Sequence, residues 1–230
     1  MAERAVVAPH LDDAVLSAWH QIEQAGSQTL TLFAGIPNDP SPSWWDKATG
    51  QANAQTTMHL RRAENAAALA VTSTVVTNLH FLDRPYVQGA RDIQAMADAV
   101  ELNVLRHAQL IVAAGIGTLL RRHPDHITTR MTGLALRQRG RAVSFYADIP
   151  YTLPIHRFAE WPRRLPVEKL KRLFNADISV EIVELNKAQQ TRKQAAVKAF
   201  ATQFRLVNML ALGALQKPAA YRWEALIHCT

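Results

Sequence analysis

The sequence predicts a doubly wound α/β sheet. Short apolar runs alternate with segments of helical spacing through the first two thirds of the chain. The runs are almost continuous in apolar residues, "AVVA" at Ala5–Ala8 and "LIVAA" at Leu110–Ala114, as strands buried on both faces must be. Strands that alternate with helices need parallel crossovers, which put helices on both faces of a mostly parallel sheet.

Each element follows from its own residues. Ala5–Ala8 reads as the first strand and Asp13–Gln24 as the helix after it. Thr29–Gly35, "TLTLFAG", is a second strand, and Asn38–Gln55 is a long Pro/Ser-rich loop at its end, a candidate lid. Met58–Val71 is Ala-rich and helical, and Thr74–Leu82 is β-branched and strand-like. Arg91–Arg106 has apolar positions at Ile93, Met96, Val100 and Val104, the stripe of a helix. Leu110–Ala114 is a strand, Ile127–Arg139 a helix and Arg141–Ala147 a strand. Beyond Pro150 the pattern loosens; Ser179–Leu185 reads as a strand, Asn186–Phe204 as a long helix and Tyr221–Ile227 as a closing strand. No break in composition and no internal repeat divides the chain, so residues 1–230 are expected to form one domain.

Composition narrows the function. Hydrophobic residues make up 48% of the chain and charged residues 20%, the balance of a soluble globular protein. The single cysteine, Cys229, allows no intramolecular disulfide and suits a reducing compartment. The apolar stretch Leu206–Leu215 is half of what a bilayer span needs, and the N-terminal run is too short for a signal-peptide core. A cytoplasmic protein without a membrane partner is expected. The net charge of +7 is dispersed in pairs such as Arg61–Arg62, Arg121–Arg122 and Arg163–Arg164, with Lys169, Lys171 and Arg172. It comes without the aromatic interleaving of a nucleic-acid platform, so no nucleic-acid partner is expected. A solvated basic surface is the first reading and an anionic small substrate the second. Oligomeric state is not legible: the apolar C-terminal helix would serve equally inward or at an interface.

Chemistry concentrates at two strand ends. In "VVAPHLDDAVLS" the first strand gives way to His10, Asp12 and Asp13; in "RRHPDHITTR" the residues after the "LIVAA" strand are His123, Asp125 and His126. Open α/β sheets bind ligands outside the carboxyl ends of their strands. Zinc in catalytic sites takes three His or carboxylate ligands and leaves a position open. His10, Asp13 and His126 make such a set. Asp12 is then spare, next to the metal but not on it, where hydrolysis needs a general base. The competing reading is an acidic helix cap together with an accidental His spacing. The isolated histidines His20, His59, His80, His107, His156 and His228 read as structural or exposed. Trp44 and Trp45 would either stack on a sugar or pin the long loop. Arg61 reads as an exposed helical arginine, and Asp148 and Tyr151, past another strand end, as pocket lining or as a capped turn.

"APHLDDAVLS" with the downstream "HPDH" resembles the PIG-L/LmbE-like deacetylases, zinc-dependent enzymes that remove acyl groups from amino sugars and related conjugates. "FAGIP", "WWDKATG", "RRAENAAALAV", "FLDRPY", "ADIPY" and "YRWEALIH" are similar to family segments in the same order, most strongly over Ala5–Tyr151. The resemblance implies a Rossmann-like fold. It implies His10, Asp13 and His126 as ligands of Zn²⁺, with Fe²⁺ or another divalent metal acceptable, and Asp12 as general base. It implies a protonated His123 that stabilises the transition state or protonates the leaving amine, Asp125 as the acid that orients His123, and Arg61 as a substrate contact. Leu11 and Ala14 stand where the family most often has Pro and Glu. The implied substrate is an N-acetylated amino sugar or glycoconjugate. The alternatives are an amidase acting on a thiol conjugate and a non-catalytic, metal-stabilised binding protein.

Overall fold

The computed structural model describes residues 3–117, 123–149, 151–152 and 165–230. Arg121, Arg122, His156, Arg163 and Arg164 lie outside the described residues. In chain order the elements are β1 (Arg4–Ala8), α1 (Asp13–Ser17), α2 (Trp19–Ile22), β2 (Ser27–Thr31), α3 (Trp44–Ala48), α4 (Ala54–Leu69), β3 (Val75–Asn78), α5 (Ile93–Asn103), β4 (Gln109–Ala113), α6 (Pro124–Gln138), β5 (Val143–Tyr146), α7 (Val167–Phe174), β6 (Ile178–Glu184), α8 (Lys187–Lys198), α9 (Phe204–Leu210) and β7 (Trp223–Cys229).

The strands form one seven-stranded sheet in the order β3-β2-β1-β4-β5-β7-β6. From β3 to β5 all neighbours are parallel, while β7 runs antiparallel to both β5 and β6. The predicted α/β architecture is the one observed. The chain steps outward from β1 through β2 to β3, then returns to β4 and leaves the other way. The switch point therefore falls between β1 and β4, whose ends carry the two predicted clusters. Right-handed crossovers in opposite directions send the helices to opposite faces, and they pack as two sets, α5 with α6, and α1 and α4 with α8. β1 and β4 are buried along almost their whole length because they are the central strands.

Several predicted boundaries move, each for a physical reason. The helix expected over Asp13–Gln24 breaks at Ala18, where the buried Glu224 carboxylate of β7 accepts from the N–H groups of Trp19 (2.7 Å) and His20 (2.9 Å) and starts a new helix. The helix expected to reach Phe204 stops at Lys198; past it, the Thr202 N–H and hydroxyl both bond to Glu64 on α4 (2.7 and 2.8 Å). The Asn38–Gln55 segment is no bare loop. It holds α3, closed by a capping box between Ser43 and Asp46, and the buried Asp46 also accepts from the Tyr86 hydroxyl (2.7 Å).

Candidate metal centre

β1 ends at Ala8, and a turn carries His10 to the start of α1. The His10 N–H donates to Asp13 Oδ2 (2.9 Å), which folds the carboxylate back over the strand end. Asp12 occupies the N-cap position of α1 but makes no side-chain cap bond, so helix capping does not account for it. From the other side of the switch point, His123 and Pro124 open α6. Gly115 permits this approach: it has φ of 57°, and a Cβ there would lie 2.5 Å from the His126 carbonyl oxygen.

Three donor atoms meet between the two ends. His10 Nδ1 lies 3.1 Å and His126 Nε2 3.2 Å from the same Asp13 oxygen, Oδ2. Two ligands about 2.1 Å from a tetrahedral ion stand roughly 3.4 Å apart, so the spacing suits donors that share one cation. The remaining nitrogens are tied elsewhere. His126 Nδ1 is 2.7 Å from Asp148 Oδ1, while its buried Nε2 has no hydrogen-bond partner. His10 Nε2 is 3.3 Å from Asp83 and 3.4 Å from Asp125. A carboxylate on the outer nitrogen fixes the tautomer and aims the lone pair of the inner one, which is how metal-binding histidines are held.

Charge leads to the same reading. Among the described residues, five buried carboxylates gather here, Asp12, Asp13, Asp83, Asp125 and Asp148, with guanidinium groups of Arg61 on Asp83 (2.9 Å) and of Arg91 on Asp125 (3.0 Å). Protons on the imidazoles or a dication would add positive charge among these carboxylates. Burial opposes the charging of His126, but Asp13 and Asp148 prevail and push it up to about 9. His10 rises well above the usual histidine range against the same burial, through Asp83, Asp125 and Asp13. Asp13 is held far below the carboxylate range despite burial, by His126 and His10. Asp12 goes the other way: burial and the adjacent Asp13 raise it to about 6. Burial and the positive charge on His10 and His126 lower His123 to about 3.

The structure places the other expected residues differently from the sequence reading. Asp125 does not orient His123 through its carboxylate, which accepts from the Arg84 N–H (2.8 Å) and Arg91 and reaches His10; its backbone N–H donates to His123 Nδ1 (3.2 Å). Arg61 is not an exposed arginine, although it does line the pocket. It is 4% exposed and bound to Asp83, because Met58, Arg61, Asn65 and Leu69 form the inward face of α4. Asp148 is fully buried and serves His126, with Oδ2 accepting from the Ile116 N–H (3.1 Å). Tyr151 does line the pocket, edge-on to His126. The tryptophans differ: the Trp45 indole N–H bonds to Gln203 (2.6 Å) and pins the loop, while Trp44 is 66% exposed at the cavity rim. Asp83, in "FLDRPY", was not assigned any role from the sequence, although it too stands past a strand end.

His10, Asp83, His123 and Asp125 also gather closely enough to hold an ion. There, however, His10 offers the nitrogen already turned to carboxylates, and Asp125 is taken up by Arg84 and Arg91. That group supports the first. Above both lies a cavity of about 210 Å³, with His10, Asp12, Asp13 and His123 among its polar walls and Trp44, Pro85, Pro124, Val207 and Leu210 among its apolar ones.

The model of one protein family, PIG-L, described as GlcNAc-PI de-N-acetylase, matches residues 5–136. The chain belongs to the PIG-L family. With membership comes the reaction class, a hydrolase of the deacetylase kind. Among solved structures, teicoplanin deacetylase Orf2 in its zinc-inhibited form matches with a TM-score of 0.69 at 22% identity, over 98% of each chain. The A40926 pseudoaglycone deacetylase Dbv21 matches with a TM-score of 0.69 at 25% identity, over 100% of this chain and 98% of that one. The 4-carboxy-2-hydroxymuconate hydratase GalB of Pseudomonas putida matches at 0.59 and 17% identity, over 98% of this chain and 95% of that one. No curated protein matches the sequence. A hydratase of the same fold shows that the fold alone does not fix the chemistry, so substrate and mechanism have to be argued from the site. No helix among the described residues is long and apolar enough to cross a membrane.

Proposed function

We propose that this PIG-L protein removes the acetyl group from an N-acetylated amino sugar or its glycoconjugate, using one divalent cation, zinc, held by His10, Asp13 and His126. The observation that carries the reading is the buried, unpartnered His126 Nε2, aimed by Asp148 at the oxygen of Asp13 that His10 also faces. The family description supports the amide and the sugar. A solved complex of a deacetylase with teicoplanin supports a conjugate. The exposed Trp44 at the rim offers a stacking face for such a ligand.

When bound, the ion would polarise the amide carbonyl and make water acidic enough to attack near neutral pH. The chain's own residues do the rest. Asp12, on the cavity wall, takes a proton from the attacking water as the new C–O bond forms. His123 Nδ1 accepts from the Asp125 N–H, which suits a neutral ring with its proton on Nε2 rather than the cation that the resemblance implies. It donates that N–H to the oxyanion without giving the proton up. Asp12 then passes its proton to the amide nitrogen, the C–N bond breaks, and amine and acetate leave. Arg61 acts through Asp83, which it holds against His10.

The test is acetate release by the purified protein, loaded with Zn²⁺ or Fe²⁺, from p-nitrophenyl N-acetylglucosaminide, nucleotide-linked N-acetyl sugars and N-acetyl thiol conjugates. Release from the sugars with about one metal per chain is the expected result. Turnover of the thiol conjugates alone would move the assignment to the amidase reading. Metal binding without turnover of any of them would leave a binding protein.

A further inference from the structure

Asp12 is a wall of two cavities. One is the main pocket; the other is a recess of about 10 Å³ lined by Leu16, Val197, Phe200, Phe204, Val207 and Leu215. Val207 lines both, so the two adjoin. Apart from Asp12, every wall of the recess is apolar. Its size admits roughly one water-sized group, but an ordered water needs about two to four polar partners, and a single carboxylate is a poor set. A methyl group fits both the volume and the walls.

The position of Asp12 says which methyl. A general base stands within hydrogen-bond reach of the water it activates, and that water attacks the carbonyl carbon. The first carbon of the acyl chain is one bond further on. It must therefore come to rest within a few ångströms of Asp12. We infer that the recess is the acyl subsite, that it receives the methyl of an acetyl group, and that it excludes longer acyl chains. The inference rests on the deacetylase reading and adds to it the size of the group removed.

The walls are rigid enough to select. Leu16, Val197, Phe200 and Leu215 are each 3% exposed or less and belong to the main core, and a packed core does not swell to admit a methylene without strain. Asp12 and Leu16 apart, the walls also lie beyond residues 5–136, the part that the family model matches. Acyl size is thus set mainly by the C-terminal third of this chain, on α8, the link to α9, α9 and the turn that follows.

Short-chain hydroxamic acids carry the acyl group without the sugar and supply the probe. Calorimetry on the zinc-loaded protein with aceto-, propiono- and butyrohydroxamic acid should show affinity falling at least about tenfold from the two-carbon to the four-carbon acid. Val207→Ala and Leu215→Ala should each flatten or reverse that order. Val207 is only half-buried, so its variant keeps the test open if the Leu215 variant does not fold. Equal affinities across the series, an order unmoved by Val207→Ala, or no binding of any of the acids would each overturn the subsite. Acetate release from p-nitrophenyl N-acetylglucosaminide is measured separately. Graded hydroxamate binding without release would leave the subsite standing and remove the deacetylase reading; release with a flat series would do the reverse.

Discussion

Two clusters of buried charge in this molecule have opposite characters. Glu224 accepts from the N–H groups of Trp19 and His20 and from Lys193 Nζ at 2.6 Å, with both charged side chains buried. Its charge is balanced, and the three bonds fix the start of α2 and join β7 to α8. The cluster at the β1–β4 switch point is left open. Among the described residues it gathers five buried carboxylates, and His126 Nε2 and Asp83 Oδ1 make no hydrogen bond there, facing only Asp13 at 3.2 Å and His10 at 3.3 Å. Burial of charge is therefore not the mark of a site here. The mark is a set of buried carboxylates and imidazoles whose inner donor atoms converge on one point instead of closing a hydrogen-bonded pair.

The sharpest way to break that contrast is to damage the closed cluster. Lys193→Met leaves Glu224 buried and unpaired and should cost about 3–5 kcal/mol of stability, read by chemical denaturation, while metal stoichiometry at the open cluster stays at about one per chain. Metal loss on that substitution would mean that the clusters are not independent. In the open cluster, Asp148→Ala frees the outer nitrogen of His126 and should weaken metal affinity about 10–100-fold, measured by competition with a chelator. Arg61→Ala should act in the same direction through Asp83, lowering metal affinity more than it raises KM. A pure KM effect would return Arg61 to direct substrate binding. The smallest effect is expected at the loop: Trp45→Phe removes one hydrogen bond to Gln203 and should cost about 1 kcal/mol, with Trp44→Ala changing KM instead.

The open cluster was also the more legible of the two. His10 with Asp13, and His123 with His126, stand in short motifs at strand ends, and the doubly wound order brings those ends together. Local spacing could not show the partners that come from distant segments. Asp83 reaches His10 from beyond β3, and Asp148 reaches His126 rather than a substrate. Arg61 offered a usable signal, since Met58, Arg61, Asn65 and Leu69 repeat at helical spacing, but an arginine in such a stripe reads as exposed until its partner is known. The helix breaks at Ala18 and after Lys198 were invisible for the same reason, because the groups that bond to the chain around them, Glu224 and Glu64, lie far away in sequence.

The adjacent carboxylates Asp12 and Asp13 carry the central claim, since one is assigned to the proton and the other to the metal. Metal content and the rate of acetate release are to be measured side by side on Asp12→Asn and Asp13→Asn. Asp12→Asn should retain close to one metal per chain and lose on the order of 10²–10⁴ in rate, whereas Asp13→Asn should lose the metal itself, because a neutral amide oxygen is a far weaker ligand than a carboxylate. Metal lost from Asp12→Asn and kept by Asp13→Asn would contradict the account.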